Sequence, residues 1–202
     1  MKKVILLINL LTCIVLRADI NAFVLSRFPN HVLVLTGITN SDVFGYAFMI
    51  NAQSHAFSEI CALEENPILV EHAQYPIRYY SSRFKPSLKS YSVHCARSVT
   101  DLASFIKSIN TPITFVLASQ FPDWTVPDKQ NLILQELDQI KQHYIKGHTI
   151  LVDYIYFGNV GVEAIKNKLL EINSDYEFSL ETGGHLAREE NAILAARPKK
   201  AS

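Results

Sequence analysis

The stretch Asn131–Gly158, NLILQELDQIKQHYIKGHTILVDYIYFG, decides how the chain folds. Leu132, Ile133, Leu137 and Ile140 recur at helical spacing, with Gln135, Glu136, Asp138, Gln139 and Lys141 mostly on the opposite, polar face. Gly147 is the expected stop, because glycine accepts the positive φ of a helix C-terminal cap. His148–Asp153, HTILVD, is short, apolar and β-branched, and it ends in an acid. That pattern reads as a buried strand presenting a polar residue at its carboxyl end. A helix feeding such a strand is half of a βαβ unit, and open α/β sheets take their ligands at the carboxyl ends of their strands.

The same alternation continues outward in both directions. Upstream, His31–Thr36 (HVLVLT), Phe57–Leu63, Ser90–Ala96 and Ile113–Ala118 read as strands. Helices are expected over 19–28, from Ser41 or Asp42 to Ile50, from Pro67 towards Pro76, and from Ser98 to Ile109 with Ser98 as cap. Gln120–Gln130 holds Asp123 and the sole tryptophan, Trp124, and reads as a loop at the carboxyl end of the fourth strand. Downstream, Val160–Ile172 reads as a helix. Tyr176–Leu180 and Ala192–Ala196 then read as a hairpin whose connection includes Gly183–Gly184. Five βα units and a closing hairpin define an α/β fold. It is a single doubly wound, mostly parallel sheet of about seven strands, ending in an antiparallel pair.

Composition bounds the function. The 202 residues are 49% hydrophobic and 19% charged, enough for one packed domain. Lys plus Arg and Asp plus Glu are equal at 19 each, so no global field favours nucleic acid or an anionic membrane. The seven histidines show no metal-ligand spacing, and Asp123 with Asp153 is a small part of an oxygen shell, so no metal site is expected. Ser119 lacks a nucleophile-elbow context.

Residues 1–18 differ from the rest. Lys2 and Lys3 precede the apolar run Val4–Leu16, and Arg17–Ala18 follow. This pattern reads as a signal peptide cleaved after Ala18, leaving 19–202 as an exported α/β domain; the alternative is a buried N-terminal element of a cytoplasmic protein. The run is short for a stable membrane span. Cleavage would remove Cys13 and leave Cys61 and Cys95.

With these elements in place the chain resembles the Rossmann-like class I S-adenosylmethionine-dependent methyltransferases. The resemblance is carried by Pro112–Phe115, by Leu134–His143 in the form Leu-x-Glu-Leu-x-x-Ile-x-x-His, and by Ile145–Asp153. More loosely, it extends to Glu64, Asn66, Pro67 and Glu71–Ala73. It implies that S-adenosylmethionine is the cofactor and that the partner is a small molecule. Gly37 would lie in the turn against the methionine part, Glu64 would accept from the ribose hydroxyls, and Asp153 would face the methyl acceptor as the catalytic-side residue. Outside the resemblance, Glu64 reads as a solvated acid at a strand end and Asp153 as a cap or loop hydrogen-bonder. The chain departs from the family pattern at Leu35–Asn40, at Arg97 after the third strand, at Ala118–Gln120 and at Tyr154. Two functions follow: a methyltransferase-like protein, or an exported, catalytically inactive relative that binds a ligand or partner. In this fold the second and third strands are neighbours. Cys61 and Cys95 are therefore expected with Cα atoms within roughly 7 Å, a disulfide being conceivable and free buried thiols the alternative.

Overall fold

The computed structural model describes residues 27, 30–37, 57–74, 90–117, 132–153, 161–181 and 193–199, with the backbone alone at Tyr91 and Asp153. The expectations for 1–18, the helix at 19–28, the Ser41 or Asp42 cap, the loop holding Asp123 and Trp124, and the Gly183–Gly184 turn lie outside these residues.

All seven expected strands form: β1 (Val32–Thr36), β2 (Glu59–Glu64), β3 (Ser90–Cys95), β4 (Ile113–Leu117), β5 (Thr149–Asp153), β6 (Tyr176–Glu181) and β7 (Ile193–Pro198). They make one sheet in the order β3-β2-β1-β4-β5-β7-β6. Contacts among β1 to β5 are parallel; β7 runs antiparallel to both β5 and β6. The described helices are α1 (67–74), α2 (Ser98–Ile106), α3 (Leu132–Lys141) and α4 (Val162–Ile172).

The core lies between the sheet and α2, α3 and α4. Val32, Val34, Ile113, Phe115, Leu117, Ile150, Val152, Leu194 and Ala196 alternate onto one sheet face and meet Leu102, Ile106, Ile133, Leu137, Ile140, Ile165 and Leu169. The residues between them, Leu33, Leu35, Val116 and Leu151, are buried as well. Cover on both faces is what a parallel sheet requires, and it explains why these strands read as continuous apolar runs.

Three local expectations are corrected. The helix α3 ends at Lys141, not at Gly147. Its last turn tightens instead, with Gln142 N–H donating to Gln139 O and His143 N–H to Ile140 O. Ser98 does not cap α2. Arg97 is the N-cap residue, and its N–H donates to Asp101 Oδ2 at 2.9 Å, while the Ser98 hydroxyl is drawn to a buried carboxylate, where a hydrogen bond is worth more. Cys61 and Cys95 are free, half-buried and exposed respectively. Cys61 pairs in register with Ser92, and Cys95 with Glu64. That three-residue offset sets them apart by ~10 Å along the strands, beyond disulfide reach.

Candidate functional site

The strand order reverses at β1. The chain leaves β1 for β2 and β3 on one side and returns to β4 on the other, so the switch point at which open α/β sheets take their ligands falls at the carboxyl ends of β1 and β4. Thr36 stands level with Leu63 and with Leu117, and Leu117 with Val152. The residues singled out from the sequence therefore share one edge.

Gly37 follows β1 with φ of 76°, a backbone open to glycine at little cost, and its N–H donates to Leu63 O at 3.0 Å. This ties the first turn to the end of β2, where Glu64 stands next in the chain. Glu64 is 2% exposed, so it is not the solvated acid of the alternative reading. Its Oε1 accepts from Asn66 N–H at 2.8 Å. Asn66 in turn opens α1: its Oδ1 accepts from Ile68 N–H and its carbonyl from Val70 N–H. Asp153 ends β5 opposite Ile193. It lies two strands from β1, ~10 Å away along the edge. The structure thus brings Gly37 and Glu64 together and sets the backbone of Asp153 two strands further along the same edge.

At the end of β3 the edge presents Arg97, whose Nε donates to Glu65 Oε2 at 3.0 Å with two-thirds of its side chain exposed. Among the described residues, no cluster of three or more His, Cys, Asp or Glu residues has metal-holding geometry. No described helix is long and apolar enough to cross a membrane.

Sequence reasoning missed the group directly beneath this edge. Glu136 of α3, placed by its period on the polar face, is 1% exposed. The Ser98 hydroxyl donates to its Oε1. Burial pushes the Glu136 carboxyl up to about 7, against the opposing pull of the Ser98 and Thr36 hydroxyls. Thr36 is close enough for that pull without meeting hydrogen-bond geometry: Thr36 Oγ1 and Glu136 Oε2 are both buried without a hydrogen-bond partner among the described residues. The available signal was spacing, since Glu136 stands three residues after Ile133 and four before Ile140 on the buried stripe, but its partners come from β1 and α2.

The opposite edge holds a second polar system. His148 Nδ1 accepts from Ile113 N–H at 3.1 Å, His148 Nε2 meets His143 Nδ1 at 2.9 Å, and His143 Nε2 meets Ile109 O at 3.0 Å. An amide N–H at one end and a carbonyl at the other allow one set of roles: each ring accepts at Nδ1 and donates at Nε2. Burial first, then electrostatic opposition from the neighbouring His143 and Lys146 to a proton on His148, lowers the His148 pKa to about 3. This system ties β4, β5 and the ends of α2 and α3 together away from the crevice, and it accounts for both histidines in the motif.

No protein-family model matches the chain, and no curated protein matches its sequence. Solved structures do match. One, described as a methyltransferase from Streptococcus mutans in complex with SAH, superposes with a TM-score of 0.56 at 13% identity, covering 91% of this chain and 98% of its own. A TehB-like SAM-dependent methyltransferase from Corynebacterium glutamicum gives 0.53 at 11% identity, covering 91% and 88%. The TDP-rhamnose 3′-O-methyltransferase CalS11 gives 0.53 at 11%, covering 90% and 78%. The chain has the fold of the class I SAM-dependent methyltransferases, a Rossmann-like α/β sheet with an antiparallel closing hairpin. At these identities the likeness is one of fold.

Proposed function

We propose that this chain binds S-adenosylmethionine at the carboxyl edge of its sheet and acts as a methyltransferase on a small molecule. The carrying observation is the joining of Gly37 and Glu64, the one an open backbone at φ 76° and the other a buried carboxylate on the adjacent strand end. Gly37 lets the methionine end of the cofactor approach the backbone. Glu64 accepts from the adjacent ribose hydroxyls, a pairing suited to one carboxylate. Asp153, across the crevice, stands on the acceptor side. Methyl transfer then asks mainly that donor and acceptor be held in line with water kept out.

The test is calorimetric titration of the folded protein with S-adenosylhomocysteine. Micromolar binding, about −8 kcal/mol, is expected. Glu64→Gln, which keeps the volume and removes the charge, should weaken it by roughly tenfold or more, the scale of a lost hydrogen bond to a charged group. No heat at millimolar ligand, with the protein folded, would remove this reading.

A second reading is favoured by Arg97, an exposed guanidinium paired to Glu65 at the end of β3. In it the chain is an exported, catalytically silent relative, directed by residues 1–18, whose crevice takes a different ligand. Mass-spectrometric detection of a mature N-terminus at Asp19, together with absent S-adenosylhomocysteine binding, would select it.

A further inference from the structure

We propose that Glu136 is a positioning residue for the crevice: through Thr36, the last residue of β1, it fixes the turn at Gly37 against which a ligand lies. Three elements meet at its carboxyl. Ser98, the first residue of α2, donates to Oε1. Thr36 ends β1 with its hydroxyl fully enclosed, and Glu136 itself comes from α3. Among the described residues Thr36 Oγ1 and Glu136 Oε2 are enclosed without partners, one immediately before the turn and the other on the helix packed below. Two buried orphan oxygens at one place carry a desolvation cost that a packed core does not keep without return. A short closing movement of Thr36 onto Oε2 satisfies both atoms, and it acts on the residue adjoining Gly37. The Gly37 N–H to Leu63 O bond lies next along the chain, so the same movement sets the spacing between the ends of β1 and β2.

Glutamine and alanine at 136 separate positioning from simple packing. Glutamine retains an acceptor for Ser98 and a donor for Thr36; alanine retains neither. Hydrogen exchange of the ligand-free protein reads the Gly37 amide directly. Glu136→Ala should raise its exchange by about tenfold, the factor expected for one lost buried hydrogen bond, with the β4 and β5 amides little changed. Glu136→Gln should restore near-wild-type protection at Gly37. Thr36→Val, which removes the hydroxyl alone, should shift exchange in the same direction as alanine, and it carries the test if Glu136→Ala does not fold. Unchanged Gly37 exchange in Glu136→Ala or Thr36→Val, exchange raised evenly over the whole sheet, or no rescue by glutamine would overturn the proposal. A second arm rests on the cofactor reading above. S-adenosylhomocysteine affinity should fall about tenfold in Glu136→Ala and hold in Glu136→Gln. Absent binding by the wild type would remove the cofactor reading, while hydrogen exchange at Gly37 still decides the positioning role.

Discussion

A carboxyl group enclosed on every side holds its proton more tightly than one in water, and Glu136 is such a group. Below pH 4.5 the folded and unfolded chains both carry that proton, so it has no effect on stability. Between 4.5 and about 7 the unfolded chain releases it while the folded chain keeps it, so stability falls as pH rises. Above about 7 the cost is complete, on the order of 3 kcal/mol. Glu136→Gln removes the ionisation. We expect thermal unfolding of this variant at pH 8 to move up relative to wild type, by about 2–4 °C per kcal/mol recovered, and to show little gain at pH 4.5. An equal shift at both pH values would refute a buried, proton-holding carboxyl. Helical period assigned Glu136 to solvent because period reports only the helix's own faces. The partners that make its burial tolerable, Ser98 and Thr36, are distant in sequence. The positions of Glu64 and Gly37 at neighbouring strand ends were legible because a strand end and a glycine turn are local features.

Elements were read well in their interiors and poorly at their ends. The strands are continuous β-branched runs, and such runs have few other ways to hide themselves. Helix ends depend on competition for polar atoms. Ser98 was a sound local cap candidate, but a buried carboxylate took its hydroxyl and Asp101 received the Arg97 N–H. Gly147 was a sound stop signal, yet α3 closes at Lys141, before His143 and His148 form their buried pair. The two glycines should therefore answer differently to substitution. A Cβ on Gly147 would meet its nearest atom, Pro198 Cγ, at 4.0 Å, an ordinary contact. Gly147→Ala should leave stability unchanged or raise it by up to about 1 kcal/mol through the unfolded state. Gly37→Ala places a side chain at φ 76° and should cost about 1–2 kcal/mol. Denaturant midpoints for the two variants check this; a larger loss at Gly147 than at Gly37 would contradict the assigned ends.

At the scale of the whole molecule, the two polar systems lie at opposite edges of one sheet and respond to pH in opposite senses. Unfolded His148 takes up a proton near pH 6.5, whereas folded His148, enclosed and already accepting from Ile113 N–H, does so only near 3. Its contribution is fully present above 6.5 and is lost as pH falls towards 3, on the order of several kcal/mol. Acid unfolding should therefore steepen across this window, and His148→Gln should flatten it while lowering stability at pH 7 by about 1–3 kcal/mol, since the His143 ring and the Ile113 amide lose a matched partner. Equal pH dependence in wild type and variant would contradict the histidine assignment. The sequence alone determined the α/β alternation, all seven strands, the closing hairpin and the edge on which Gly37, Glu64 and Asp153 lie, because periodicity and turn residues act over a few positions. Only the tertiary structure decided that Glu64 and Glu136 are buried, that His143 and His148 form one relay, and that Cys61 and Cys95 are out of register. Burial, pairing and register are set by which distant segments come together, and no local pattern carries that information.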